Sequence, residues 1–183
     1  MKTFLILSLL FLSALSAFPD QIYTKNKEAN RLYKNGHYKE ALKLYEDMAV
    51  EAPAEPKLKM NKGSALFQMG DLDKAEESYN NAAAGLKNKK ALADLYYDLG
   101  NVHYMQGEQL GAKQDQGAAE KYKAAYEDYI KSLDLRDKDK DAKWNLQLAS
   151  AKMKQMQNQQ KNQSKNDKQN KQNQKDQQKQ DKN

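Results

Sequence analysis

The 183-residue sequence predicts an all-α solenoid: about three helical hairpins, one further capping helix and a disordered tail. Three observations carry this. Related segments recur along the chain, two of them at a step of 34 residues, and a fixed period of about 20 to 50 residues is the mark of stacked supersecondary units. Small residues and glycines hold matching places in those segments. The pattern of the first helix of a unit then restarts once more near the C-terminal end with no second helix to follow it, which is how a solenoid covers its last apolar face.

The first element is a leader. Residues 1–17 read MKTFLILSLLFLSALSA: a lone Lys2, an apolar run from Phe4 to Leu12, then small residues. That is the three-part layout of a secretory signal peptide, with cleavage expected after Ala17, or after Ser16 as the alternative. A run of this length is too short for an ordinary spanning helix, which takes about 20 apolar residues, and no second apolar stretch of that length follows. The expected location is therefore outside the cytoplasm: exported, and periplasmic or envelope-associated.

The hairpins occupy residues 18–156. NGHYKEALKLYEDMA begins at Asn35, MGDLDKAEESYNNAA at Met69, and a third copy is split into QGE at Gln106 and YKAAYEDYIKSL at Tyr122. Gly36 and Gly70, Ala41 and Ala75, and Tyr45 and Tyr79 are each 34 residues apart. Repeats are expected at about 22–55, 56–90 and 91–137. Small residues such as Ala29, Gly63 and Gly100 let neighbouring helices approach closely while larger ones fill the space around them. Glycine at the turn supplies the backbone freedom that ends the first helix.

A 34-residue helix–turn–helix period resembles the tetratricopeptide repeat (TPR) family. YYDLGNVHYMQGE, starting at Tyr96, is similar to that family's first-helix motif, which puts Tyr96 at the bulky aromatic position, Leu99 and Gly100 at the helix contact and Gly107 at the turn. Ala41 with Tyr45, Ala75 with Tyr79, and Ala125 with Tyr129 follow the second-helix pattern, and Pro53 is the one family proline. Glu28 and Lys62 depart from it where leucine is usual. The resemblance implies a TPR α-α superhelix. About 13 extra residues between Gly107 and Tyr122, an insertion near 108–120, are read as an enlarged turn or an extended second helix, solvated rather than bound to a partner.

The capping helix is expected at about 139–156, with Ala142, Trp144 and Leu146 in its pattern and Trp144 read as a packing residue ahead of a ligand platform. Residues 157–183 hold ten Gln, six Asn, seven Lys, three Asp and one Ser, with no apolar side chain. Ordering costs about 1 to 2 kcal/mol per residue and nothing in this segment buries surface to offset it, so disorder and a spacer or solubilising role are expected.

Several function classes are excluded. Of the net charge of +6, the tail carries most, and only Arg31 and Arg136 are arginine among 31 cationic residues, which does not describe a nucleic-acid-binding domain. Cysteine is absent, so no disulfide, thiol nucleophile, Cys-ligated zinc or lipobox anchor is available. His37 and His103 fall at different places in different repeats, and no P-loop, GxSxG, HExxH or EF-hand pattern occurs. No catalytic residue, cofactor or metal is expected, and the chain is read as a non-enzyme.

What the fold offers is a face of the first helices. By the family spacing it should carry Asn26, Asn30, Tyr33, Met60, Ser64, Phe67, Tyr97, Asn101, Tyr104 and Trp144, suited to an extended or helical peptide held by apolar anchors with Asn bonding its backbone. Tyr97, Asn101 and Tyr104 are also common residues of this family with no partner implied. Asn30 and Asn101 match the TPR carboxylate clamp, but Met60 and Tyr97 stand where it needs cations. Leader, repeats, the closing segment DAKWNLQLA from Asp141 and a Gln/Lys/Asn tail together resemble the small exported TPR proteins of Bat (Bacteroides aerotolerance) operons. That resemblance implies von Willebrand factor A-domain membrane proteins as partners and a role in oxidative-stress tolerance. The competing expectations are a polyanion or cell-surface binder acting through the tail, and an assembly factor for envelope or secretion machinery.

Overall fold

The computed structural model describes residues 21–180, all of its regular structure helical. The leader at 1–17 lies outside the described residues. Helix α1 covers 21–34 and is followed by α2 (Tyr38–Glu51), α3 (Pro56–Gln68), α4 (Leu72–Ala83), α5 (Lys89–Ala112), α6 (Ala118–Leu135) and α7 (Lys140–Gln180). Helices α1–α2, α3–α4 and α5–α6 are the three hairpins and α7 is the additional helix. Contacts group the chain into two compact units, one up to Lys87 and the other from Asn88.

The repeated glycines end α1 and α3 in the same way. Gly36 and Gly70 have φ of 81° and 78°, a left-handed conformation that costs glycine no Cβ clash. Each lets the chain fold back so that His37 N–H reaches Leu32 O at 2.9 Å and Asp71 N–H reaches Leu66 O at 3.0 Å, satisfying carbonyls that the helix end would leave bare. Helix starts are marked in sequence too. Pro56 occupies the first turn of α3, where its missing N–H is no loss. Asn88 Oδ1 accepts from Lys90 N and Ala91 N to open α5, and Asp139 Oδ1 accepts from Asp141 N and Ala142 N to open α7.

The third hairpin corrects the expected turn. Gly107 does not end α5; it is buried inside it, and α5 runs on to Ala112. The turn is closed at Gln114, the one non-glycine with positive φ among the described residues (57°), and Asp115 N–H bonds Leu110 O at 2.9 Å as its counterparts do after Gly36 and Gly70. The extra residues thus lengthen both helices of the hairpin, to 24 and 18 residues, and leave only a short connection between them. Ala118, Ala119 and Tyr122 are buried at the start of α6, so part of this segment is packing rather than a solvated loop.

Helix α7 also differs from expectation, continuing past Gln157 to Gln180. Burial cannot account for this, since Met156 is the last apolar residue. The local chemistry can: from Ala118 onward the chain has neither Gly nor Pro, Gln and Lys are good helix formers, and extending an existing helix avoids the nucleation cost.

In the first unit the core comprises Ala29, Ala41, Tyr45, Met48, Leu58 and Ala65, with Ile22, Leu32, Tyr33, Leu42 and Leu44 packed around it. In the second, Ala125, Tyr129 and Ala149 are buried among Tyr97, Tyr104, Tyr126 and Leu146. Fully burying a side chain of this size stabilises by about 2 kcal/mol.

Candidate functional site

One local device recurs in both units and decides what the predicted site residues do. A small residue on the first helix of a hairpin lies under a tyrosine ring of the second. A Cβ added to Gly63 would come within 2.9 Å of the Tyr79 ring, to Gly100 within 2.5 Å of Tyr129, and to Gly107 within 2.8 Å of Tyr122. The residue just after the small one binds the tyrosine hydroxyl. Tyr45 OH donates to Asn30 Oδ1 (2.8 Å) beside Ala29, and Tyr129 OH to Asn101 Oδ1 (2.9 Å). Tyr122 OH donates to Glu108 Oε1 (2.6 Å), and Ser64 Oγ and Tyr79 OH lie 3.0 Å apart. Burial pushes the Tyr45 hydroxyl up to about 12, with Tyr33 adding to the shift, and raises those of Tyr129 and Tyr122 as well. These hydroxyls stay protonated donors at neutral pH.

In the first unit, Asn30 therefore has a structural duty, and it also accepts a longer bond from Asn61 Nδ2 at 3.4 Å. Ser64 is engaged with Tyr79 and with Met60 O. Tyr33 packs edge-on against Tyr38, ring centroids 5.3 Å apart, while Met60 and Phe67 are half-buried. A cleft of about 590 Å³ runs along α1, lined by Tyr23, Asn26, Lys27, Asn30 and Lys34 among others. Asn26 Oδ1 is buried there with no hydrogen-bond partner. A buried acceptor without a donor costs about 1–3 kcal/mol.

In the second unit, the structure brings Tyr97, Asn101 and Tyr104 together. Asn145 of α7 donates through Nδ2 to Asn101 Oδ1 (3.1 Å) and Tyr97 OH (3.2 Å). Tyr97 and Tyr129 have ring centroids 6.0 Å apart, and Tyr104 meets Tyr122 edge-on at 5.5 Å. Glu108 is held below the usual carboxylate range first by Lys152, whose Nζ is 2.7 Å away, and then by Tyr122. His103 Nδ1 of α5 lies 2.7 Å from Asp128 Oδ2 of α6, and Lys131 Nζ, also on α6, lies 2.8 Å from Asp128 Oδ1. Among the described residues, no group of three or more His, Asp or Glu is placed to hold a metal ion, and no helix is long and apolar enough to cross a membrane.

Trp144 corrects the packing reading. It is 62% exposed, while Ala142 and Ala149 are the α7 residues buried in the core. Sequence reasoning also missed Asn61, Asn145, Glu108 and Leu148. The signal for two of them was present: Asn145 follows Trp144 as Asn101 follows Gly100, and Glu108 follows Gly107 as Ser64 follows Gly63.

Comparison with known proteins agrees with this architecture. Residues 26–91 match the tetratricopeptide repeat family. The first TPR domain of human RPAP3 is similar in structure, with TM-score 0.62 at 23% identity over 76% of this chain and 98% of that one. The first TPR of Spaghetti (RPAP3), bound to the HSP90 peptide SRMEEVD, has TM-score 0.59 at 24% identity, covering 72% of this chain and 92% of that one. PcrH, in complex with the chaperone binding region of PopD, has TM-score 0.55 at 13% identity over 78% and 95%. No curated protein matches the chain. Residues 26–91 thus resemble the tetratricopeptide repeat family in sequence, and the chain has the tetratricopeptide repeat fold.

Proposed function

We propose that this chain is an exported, non-catalytic scaffold that holds a peptide of a protein partner against the first helices of its repeats. The observation that carries the reading is the cleft along α1, where Asn26 Oδ1 lacks a donor and Asn30 lies beside it. A backbone N–H of a bound segment satisfies Asn26, and half-buried Met60 and Phe67 on α3 supply apolar contact. Lys27 and Lys34 at the cleft favour a peptide bearing acidic residues. Peptide-bound relatives in fold, the Spaghetti and PcrH complexes among them, support protein binding as the general activity.

The finer reading rests on the leader and on the resemblance to Bat-operon proteins: a place in the cell envelope, a von Willebrand factor A-domain membrane protein as partner, and a share in oxidative-stress tolerance. An assembly role for envelope or secretion machinery uses the same face and differs in its client. N-terminal sequencing of the protein from an envelope fraction, expected to begin at Phe18, tests export.

Binding is tested by selecting peptides on the full chain and titrating them calorimetrically. Asn26→Ala and Phe67→Ala should each weaken binding by about tenfold, about 1.4 kcal/mol, and deleting residues 157–183 should change little. Affinity that vanishes with that deletion and collapses between about 50 and 200 mM salt would instead establish the polyanion-binding alternative.

A further inference from the structure

In repeat register α7 lies on α3. Ala142 and Ala149 take the buried positions of Leu58 and Ala65, and Asn145 Nδ2 donates to Asn101 Oδ1 as Asn61 Nδ2 does to Asn30 Oδ1. Trp144 then stands at the place of Met60, on the groove face of the first helices. The side that a following helix covers is a different one. On α3 it includes Gly63, which lies under the Tyr79 ring, and one turn later the buried Leu66. The same places on α7 hold Gln147, exposed, and Ser150, half-buried, with exposed Lys143 and Lys154 one turn to either side. They offer no apolar seat for a further helix, so the array closes on a polar face.

That polar face continues along α7 as a row of lysines. By helix register Lys154, Lys161, Lys165, Lys168, Lys175 and Lys179 fall within about 80° of arc, and Lys143 falls in the same arc. Asp167 and Asp176 lie outside it, one to each side. Lys152 lies away from the row and is held by Glu108. Lys143, Lys154, Lys161 and Lys165 are exposed. From Lys143 to Lys179 the row is about 54 Å long, on the side of α7 about 110° around from Trp144, Leu148 and Ala151.

The chemistry of the row selects its occupant. A protein helix gains little from exposed ion pairs alone, and beyond Met156 the row has no apolar residue to bury against one. Single-stranded nucleic acid is held by aromatic stacking and arginine, and the segment from 157 onward has neither. A bilayer of anionic lipids needs only cations presented to one side, because its headgroups move laterally to meet them, and each lysine near such a surface adds about fivefold in affinity. A straight helix with one charged side fits a plane along its whole length.

We propose that the lysine row of α7 is a docking surface for an anionic lipid bilayer, on which the helix lies flat, held by charge and without insertion. The row shares no residue with the α1 cleft.

The test uses the chain from Phe18 onward, which holds every described residue, and co-sedimentation with vesicles of phosphatidylglycerol and phosphatidylcholine in equal parts. These should bind the protein, pure phosphatidylcholine vesicles should not, and affinity should fall steeply between about 50 and 200 mM salt. The decisive variant keeps composition and net charge but breaks the row: Lys161→Gln with Gln163→Lys, Lys165→Asn with Asn166→Lys, and Lys168→Gln with Gln169→Lys. It should bind at least about tenfold more weakly with unchanged ellipticity at 222 nm. Trp144, the only tryptophan, should keep its emission on the vesicles because it lies off the row, and Asn26→Ala should leave vesicle affinity intact. Four outcomes overturn the proposal: no binding to the anionic vesicles, equal binding to the neutral ones, undiminished affinity of the broken-row variant, or a blue shift of Trp144 that puts the groove face on the lipid. Inorganic polyphosphate is the last probe: if it binds the row and the vesicles do not, the occupant is a soluble polymer and the proposal fails.

Discussion

Gly100→Ala measures the tyrosine-on-glycine contact. The added Cβ would sit 2.5 Å from Tyr129 Cε1 and 2.7 Å from Cδ1, against an optimal carbon–carbon separation of about 3.5–4.0 Å. The ring must withdraw by about 1 Å. Tyr129 is buried and its hydroxyl is tied to Asn101, so the movement strains the core by about 1–3 kcal/mol and weakens a hydrogen bond contributing about 1 kcal/mol. Alanine in place of glycine returns about 1 kcal/mol of helix propensity. The net expectation is a loss of about 2 kcal/mol, which lowers the melting temperature by roughly 10 °C in a unit of this size. Gly111→Ala is the internal control: its Cβ meets Met156 Cε, the free end of a flexible side chain, at 3.2 Å. There the propensity gain should stand, and the protein should be unchanged or up to about 1 kcal/mol more stable. Urea and thermal melts followed at 222 nm decide it. Equal stability of the two variants would refute the close-approach argument.

Three further outcomes are expected. Gln114→Gly should stabilise by about 1 kcal/mol, because glycine removes the Cβ clash at a left-handed residue that ends α5; a lower melting temperature would show that the Gln114 side chain contributes more than its backbone costs. Asp98 should make the second unit pH-sensitive: burial, and then the neighbouring Asp94 carboxylate, push it from 3.8 up to about 7 against the pull of Arg136. A carboxyl raised in this way holds its proton when folded, so its stabilisation is complete below pH 3.8 and is lost as pH climbs through about 7. Asp98→Asn should therefore gain on the parent between pH 5 and 8 by an amount on the order of 2 kcal/mol, and parallel urea midpoints across that range would dismiss the effect. Truncation after Met156 should remove helical ellipticity without moving the melting midpoint, since the deleted stretch has no apolar residue to anchor the rest; a lowered midpoint would reveal a packing role.

What was legible in the sequence is what repeats with a local cause. Gly36 and Gly70 sit at identical spacing, are followed by His37 and Asp71, and end their helices by the same backbone bonds. Gly107 misled because family position suggested a turn, while its neighbour Glu108 places it in the Gly100–Asn101 class, a small residue followed by a hydroxyl acceptor. The actual turn residue, Gln114, has no compositional signature of positive φ. Among the site residues, Asn30, Ser64 and Asn101 were located correctly on first helices, but their use in fastening tyrosines depends on contacts some 15 to 28 residues away in sequence. Trp144 was misread because a large aromatic suggests burial, whereas its place in the repeat is that of Met60, on the groove face of a first helix. Residues 157–180 continue α7 without an apolar side chain, as a helix that rests on its own backbone bonds and on freedom from breakers.

Helix α7 has 41 residues, and at 1.5 Å per residue it measures about 60 Å from end to end. Met156 is its last apolar residue, so more than half of that length has only polar side chains in its sequence. A rod fixes a stand-off distance that a coil of equal length cannot, which would hold whatever meets its tip roughly 35 Å from the last anchored turn.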